Sequence, residues 1–185
     1  MKVKVGISNR HIHLTEDAYR LLFEKNLTKK MDLTQPGEFA ANETVTISYN
    51  NKFIEHVRIV GPFRSYNQVE LSASDAKKLG INPPITSSGD LKNALDLIIT
   101  SEKGSYNLKK CCIIQERHIH MNPQMANFLH VTNHQQVKLK IDGKKVGEMV
   151  AFVKIGDNSP IEAHIDVDDA SAFGLQNGDE VELVV

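Results

Sequence analysis

Arg10-His11-Ile12-His13 returns later in the chain as Arg117-His118-Ile119-His120, each copy followed by a second apolar residue, Leu14 or Met121. Side chains alternate between faces along a strand, so each histidine pair would point to one side, with Cα atoms roughly 6.5–7 Å apart. On a helix the same spacing would send the two rings to nearly opposite sides. The β-branched isoleucine between them also favours a strand. Two imidazoles at adjacent same-face positions can reach one metal ion at about 2.0–2.1 Å. A single His-x-His is weak evidence, but two copies in the same local context point to a metal-binding strand used twice.

Working outward, Lys2 to Ile7 alternates polar and apolar and reads as a strand running into the first pair. Thr15 is an expected helix N-cap, with Glu16 and Asp17 in the first turn and an apolar face from Ala18 through Leu21 and Leu22. Lys29 to Glu38 reads as a polar connection. Residues 43–49 and 53–60 form an expected hairpin across Asn50-Asn51-Lys52, and Gly61-Pro62 breaks its second strand. Val69 to Leu71 is a short strand, followed by a helix over residues 74–79 that stops at Gly80. Asn82 to Asp90, with two prolines, two serines and a glycine, is the best linker candidate.

Beyond it, residues 94–100 and 105–115 read as strands around Lys103-Gly104. The second histidine pair follows, with Pro123 as the first residue of a helix reaching about Leu129. Residues 137–141 and 146–153 make a hairpin across Asp142-Gly143. Residues 161–167, 169–173 and 180–184 complete the chain as strand, helix and strand. Many short strands, few helices and closely spaced turns predict a mainly β fold of two small β-barrels capped by short α-helices and internally repeated.

The repeat also yields a third ligand candidate in each half. Aligning Asp75-Ala76 with Asp169-Ala170 brings Gly80 onto Gly174 without a gap and places Glu70 on His164. The sets are His11, His13 and Glu70, and His118, His120 and His164. Both are familiar zinc donor sets with an open coordination position. Nickel, cobalt or manganese suit the same ligand types. His56, His130 and His134 have no counterparts in the repeat and read as solvent or packing residues.

Composition bounds the remaining choices. The 185 residues carry 22 basic and 23 acidic side chains, a formal net charge of −1, which gives no electrostatic footprint for nucleic acid or a membrane surface. No apolar run approaches a membrane span, and no signal-peptide pattern opens the chain. The neighbouring Cys111 and Cys112 read as reduced strand residues, which suits a cytoplasmic protein. Nucleophile elbow, phosphate-cradling loop and dinucleotide fingerprint are all missing from the sequence. Arg64, on the loop after Gly61-Pro62, could meet an anionic substrate. Arg10 and Arg117 face away from their histidines and read as packing or outer-shell residues. Ser87-Ser88-Gly89-Asp90 reads as linker.

Several of these stretches together resemble one family. Val5-Gly6-Ile7-Ser8-Asn9-Arg10-His11-Ile12-His13-Leu14 resembles the opening motif of the propanediol-utilisation type phosphate propanoyltransferases. The segment from Gly61-Pro62-Phe63-Arg64 to Gln68-Val69-Glu70-Leu71-Ser72 is similar to their second motif. Ser88-Gly89-Asp90-Leu91-Lys92, Arg117-His118-Ile119-His120-Met121 and His164-Ile165-Asp166-Val167-Asp168 look like the next three, in order over nearly the whole chain.

The resemblance implies a phosphotransacylase moving a short acyl group, propanoyl or acetyl, between coenzyme A and inorganic phosphate at a two-zinc site, usually in a homodimer. It carries His11, His13 and Glu70 over as ligands of one zinc and His118, His120 and His164 as ligands of the other, with Arg64 as the phosphate-binding catalytic residue. It also implies that the N-terminal strand packs with the C-terminal barrel, giving domains of residues 10–115 and of 116–185 plus 1–9. The rival reading of the same ligands is a two-metal thioesterase or phosphoesterase with water as nucleophile. Two departures stand out. Ser171 occupies a position where family members often have asparagine, and no N-terminal amphipathic extension for bacterial microcompartments precedes the first strand. Free cytoplasmic residence is therefore the expectation.

Overall fold

The structure, a computed structural model, describes residues 1–185. In chain order the elements are β1 (Lys2–Ser8), β2 (His11–His13), α1 (Glu16–Leu22), β3 (Lys29–Asp32), β4 (Phe39–Tyr49), β5 (Lys52–Gly61), β6 (Gln68–Leu71), α2 (Ala73–Leu79), β7 (Ile85–Thr86), β8 (Leu95–Ser101) and β9 (Gly104–Gln115). They continue with β10 (His118–Met121), α3 (Pro123–Phe128), β11 (Gln136–Ile141), β12 (Gly147–Ile155), β13 (Glu162–Asp166), α4 (Val167–Phe173) and β14 (Glu180–Val184). The fold is mainly β and comprises two compact units, Arg10–Gln115 and Met1–Asn9 with Glu116–Val185. No helix is long and apolar enough to cross a membrane.

In the unit Arg10–Gln115 the hydrogen-bonded order is β4-β5-β2-β6-β9-β8, and β8 pairs back onto β4 to close a six-stranded barrel. Closure leaves no unpaired edge in the ring, which removes the usual hazard of an open sheet. The other unit closes in the order β1-β13-β10-β12-β11-β14, with β14 pairing back onto β1. The two rings have the same plan. β2 corresponds to β10, β6 to β13, β5 to β12, β4 to β11, β8 to β14 and β9 to β1. Parallel pairs recur at matching places, β2 with β5 and β10 with β12, β6 with β9 and β13 with β1. The strand leading into each Arg-His-Ile-His belongs to the other ring. The internal repeat is thus one barrel plan built twice.

Alternation along β2 and β10 sorts their residues. Ile12 and Ile119 are fully buried in the two separate hydrophobic cores, so the flanking histidines stand on the opposite, outer faces of their sheets. Matching helices follow the third-ligand strands. α2 is capped by the Ser72 hydroxyl, which accepts from Asp75 N, and ends at Gly80 with φ 72°. α4 is capped by the Asp166 carboxylate, which accepts from Asp168 N and Asp169 N, and ends at Gly174 with φ 67°. A left-handed residue closing a helix favours glycine because a Cβ would crowd the following carbonyl.

Two elements differ from the sequence reading. Lys29–Asp32, expected as a connection, is the strand β3, paired along β4. All four of its residues are exposed, so no alternation marks it. Within the expected linker, Ile85–Thr86 pairs with Ile114 and Gln115 as β7.

Candidate metal centres and the arginine beside one of them

Each barrel brings together one of the two ligand sets. His11, His13 and Glu70 form one cluster and His118, His120 and His164 the other, and the candidate ligand atoms in each lie within 4.8 Å of one another. Strand register produces both. His11 sits opposite Glu70 across the antiparallel β2–β6 pair, and His118 sits opposite His164 across β10–β13. Directly paired strand residues lie close enough for their side chains to converge.

In the first cluster His11 Nε2 is 3.4 Å from Glu70 Oε2 and His13 Nε2 is 3.8 Å from Glu70 Oε1. The rings of His11 and His13 meet edge-on at 4.9 Å. Gln68 Nε2 donates to Glu70 Oε1 at 2.5 Å, and the Gln115 amide meets the same carboxylate, which only its nitrogen can satisfy as a donor. Amides that donate to a carboxylate fix the direction of its lone pairs.

In the second cluster His118 Nε2 and His120 Nε2 are 3.0 Å apart, and His118 Nδ1 is 3.0 Å from the Glu116 carbonyl. Tetrahedral zinc with ligands at about 2.05 Å separates its donor atoms by about 3.3 Å, so both clusters suit one small divalent ion. Burial is the first cause holding the His118 ring well below the usual histidine range, and it lowers His120 to about 3; the neighbouring His164 and Lys154 act in the same direction. Both rings are therefore neutral near pH 7, the state in which imidazole can bind a metal.

A pH dependence follows for the metal-free protein. In the unfolded chain these histidines titrate near pH 6.5. Between that value and about 3 the unfolded state binds more protons, so their contribution to stability falls as the pH is lowered through this window. The half-buried Asp166 carboxyl, whose pKa is raised by burial, works in the opposite sense. Thermal melting at pH 4 to 7 is expected to show a steeper acid loss in the wild type than in a His118→Gln/His120→Gln variant. Equal slopes would mean that the folded protein does not hold these rings neutral.

Arg10 and Arg117 tie the histidine strands to the capping helices. Arg10 Nη1 lies 3.1 Å from both oxygens of the buried Asp75, in the first turn of α2. Arg117 Nε and Nη2 each donate to Asp169 of α4 at 2.7 Å. The hydrogen bond to Asp169 holds the Arg117 guanidinium further in its charged form. Asp75 and Asp169 occupy equivalent positions in the repeat, so each barrel fastens its His-x-His strand to the helix that follows its third-ligand strand.

Arg64 is placed by backbone and side chain together. Its N–H donates to the Leu14 carbonyl at 2.9 Å, next to the first histidine pair, and the Gly61–Pro62 bond before it is cis. Its Nη2 donates to Glu38 Oε1 at 2.8 Å, and Nη1 donates to Tyr66 Oη at 3.3 Å and Ser88 Oγ at 3.2 Å. Ser88 Oγ also accepts from Gln68 Nε2 at 2.8 Å, and Gly89 N donates to Gln68 Oε1 at 2.8 Å. A hydrogen-bonded path thus runs from Arg64 through Ser88 and Gln68 to Glu70. The segment Ser87–Asp90, expected as linker, supplies part of it, and Gln68 is fully buried at its centre.

Other candidates fall away from the clusters. Cys111 and Cys112 are free and fully buried, and burial raises both thiols, Cys111 to about 12, so neither is a thiolate at neutral pH. His56, His130 and His134 lie outside both ligand groups. Ser171 is exposed on α4, where its carbonyl accepts from Lys145 Nζ at 3.3 Å.

Comparison with known proteins gives this geometry a context. The family model for phosphate propanoyltransferase matches residues 4–176. A phosphate propanoyltransferase of Lachnoclostridium phytofermentans is 43% identical over 187 residues, covering 98% of this chain and 87% of that protein. Phosphate propanoyltransferases of Shewanella putrefaciens and Thermotoga maritima are each 39% identical, covering 97% of this chain and 86% and 88% of their own lengths.

Proposed function

The chain belongs to the phosphate propanoyltransferase family and is thus a phosphotransacylase, and from that premise we propose that it moves a short acyl group, propanoyl or acetyl, between coenzyme A and inorganic phosphate. In the direction acyl-CoA plus phosphate, a phosphate oxygen attacks the thioester carbonyl carbon, the carbon–sulfur bond breaks, and coenzyme A leaves as the thiolate. The reverse direction transfers the acyl group from acyl phosphate to the thiol.

His11, His13 and Glu70 would hold one zinc ion, and His118, His120 and His164 a second. When bound, these ions supply Lewis acidity toward the thioester and affinity for the leaving sulfur. Arg64 binds the phosphate dianion through its planar donor fork, in exchange for the Glu38 carboxylate it now holds. Tyr66 and Ser88 keep the guanidinium in place while that exchange occurs. Positioning phosphate in this way turns a bimolecular encounter into an oriented one. No protein nucleophile is required, which agrees with two inert, buried cysteines.

The observation that carries this reading is the path Arg64–Ser88–Gln68–Glu70, which couples an anion-binding group to a metal-binding carboxylate. Phosphorus NMR of a reaction containing zinc-loaded protein, propanoyl-CoA and phosphate tests it. An acyl phosphate resonance growing at the expense of inorganic phosphate is expected. Propanoate formation with phosphate left unchanged would replace the reading with a two-metal thioesterase. Chain length is a finer matter, since each methylene changes the preference by only about 1–3 kcal/mol.

A further inference from the structure

The repeat that pairs Glu70 with His164 also pairs the residues two positions earlier, Gln68 with Glu162. Each of these stands on the same face of its strand as the third ligand and touches it. Gln68 Nε2 donates to Glu70 Oε1, and His164 Nε2 lies 2.7 Å from Glu162 Oε2. The chemistry is exchanged between barrels: an amide holds a carboxylate in one, and a carboxylate holds an imidazole in the other. A carboxylate is thus a member of the first cluster, Glu70, and stands against one member of the second, Glu162 on His164. Glu162 is buried at 7% exposure and sits opposite His120 in the β10–β13 register. A buried carboxylate needs such a partner to offset its lost hydration.

Gly6 fixes which edge of the His164 ring faces Glu162. β13 lies between β1 and β10, and Gly6 of β1 is in register with His164. A Cβ at Gly6 would stand 3.0 Å from His164 Cδ2, 3.1 Å from its Nε2 and 3.1 Å from Glu162 Cδ. The Cδ2–Nε2 edge is thus packed on the β1 side, beside the Glu162 carboxylate. With Nε2–H donating to Glu162, the lone pair left for a metal is on Nδ1.

We infer that Glu162 is a positioning residue for the second metal centre, setting the tautomer and orientation of His164, with Gly6 leaving the room this pairing needs. The inference rests on the metal-binding reading of the clusters and adds a role for two residues outside the ligand sets.

Zinc competition against a chromophoric chelator tests it in a His11→Ala background, where only the second cluster is intact. One zinc equivalent that a further His164→Ala removes is the reference; its absence would count against the metal reading itself. Given that equivalent, Glu162→Gln is expected to weaken zinc binding about 10–100-fold. Gly6→Ala is expected to weaken it in the same direction, and both should alter the visible spectrum of the cobalt-substituted site. In a His118→Ala background, Glu162→Gln should leave the first cluster's affinity unchanged. Unaltered affinity of the second cluster in Glu162→Gln, or an equal loss at both clusters, would overturn the inference.

Discussion

Arg64→Ala is expected to lower turnover at subsaturating phosphate by about 10²–10³-fold, with zinc content unchanged. That factor corresponds to about 2.7–4 kcal/mol of lost transition-state stabilisation, the size associated with removing one oriented charge-stabilising donor. The Arg64 backbone is tied to Leu14, which follows the first histidine pair in the chain, and its side chain already holds a carboxylate, Glu38, at 2.8 Å. An anion-binding role makes phosphate the affected substrate, so the loss should fall on the phosphate KM and kcat and leave the KM for acyl-CoA nearly intact. Arg64→Lys should recover only part of the activity, because an ammonium cannot present two parallel donors. Stability should change little, since the Arg64–Glu38 pair is partly exposed, and such pairs contribute about 0–1 kcal/mol. Steady-state kinetics with phosphate varied at fixed propanoyl-CoA read out the effect. Unchanged phosphate kinetics would remove Arg64 from the chemistry.

His120→Ala is expected to abolish zinc retention at the second cluster and to reduce turnover to background. The loss of affinity should exceed the 10–100-fold associated with losing an outer-shell partner, because a direct ligand is removed. Its effect on stability should depend on metal. In the metal-free protein a buried ring with a strongly lowered pKa contributes nothing by its charge at neutral pH, so alanine there costs packing on the outer face of β10 and the hydrogen bond to His118. In the zinc-loaded protein the stabilisation that ligand binding adds to the folded state is lost as well. Melting curves with and without zinc should therefore differ in the wild type far more than in the variant. Elemental analysis after exhaustive dialysis gives the stoichiometry directly. Full turnover by a variant lacking zinc at this cluster would contradict a catalytic role for the second centre.

Much of the architecture is legible in the sequence because strand periodicity acts locally. The two Arg-His-Ile-His copies declare strands with histidines on one face, and Ile12 and Ile119 duly enter the cores. The third member of each cluster is also within reach, since a gapless register carries Glu70 onto His164 and antiparallel pairing sets both opposite a histidine. Thr15, Gly80 and Gly174 mark helix ends through capping chemistry that needs only neighbouring residues.

What escaped the sequence depends on partners far along the chain. β3 consists of four exposed residues stabilised by β4, so it carries no burial pattern of its own. Ser88 looks like linker until Gln68 and Arg64, about twenty residues earlier, are seen to share its hydroxyl. Gln68 and Glu162 were within reach. The same register that identifies Glu70 and His164 identifies them two residues upstream, and a same-face neighbour of a ligand is where an orienting partner belongs. The Arg10–Asp75 and Arg117–Asp169 pairs join equivalent repeat positions, yet only the folded barrels show that they touch.

With phosphate as the nucleophile, thiol release from propanoyl-CoA by zinc-loaded protein, followed with and without inorganic phosphate, depends on phosphate. Release that requires phosphate and saturates with it is the expected result. Release at the same rate without phosphate would make water the nucleophile and exclude acyl transfer to phosphate.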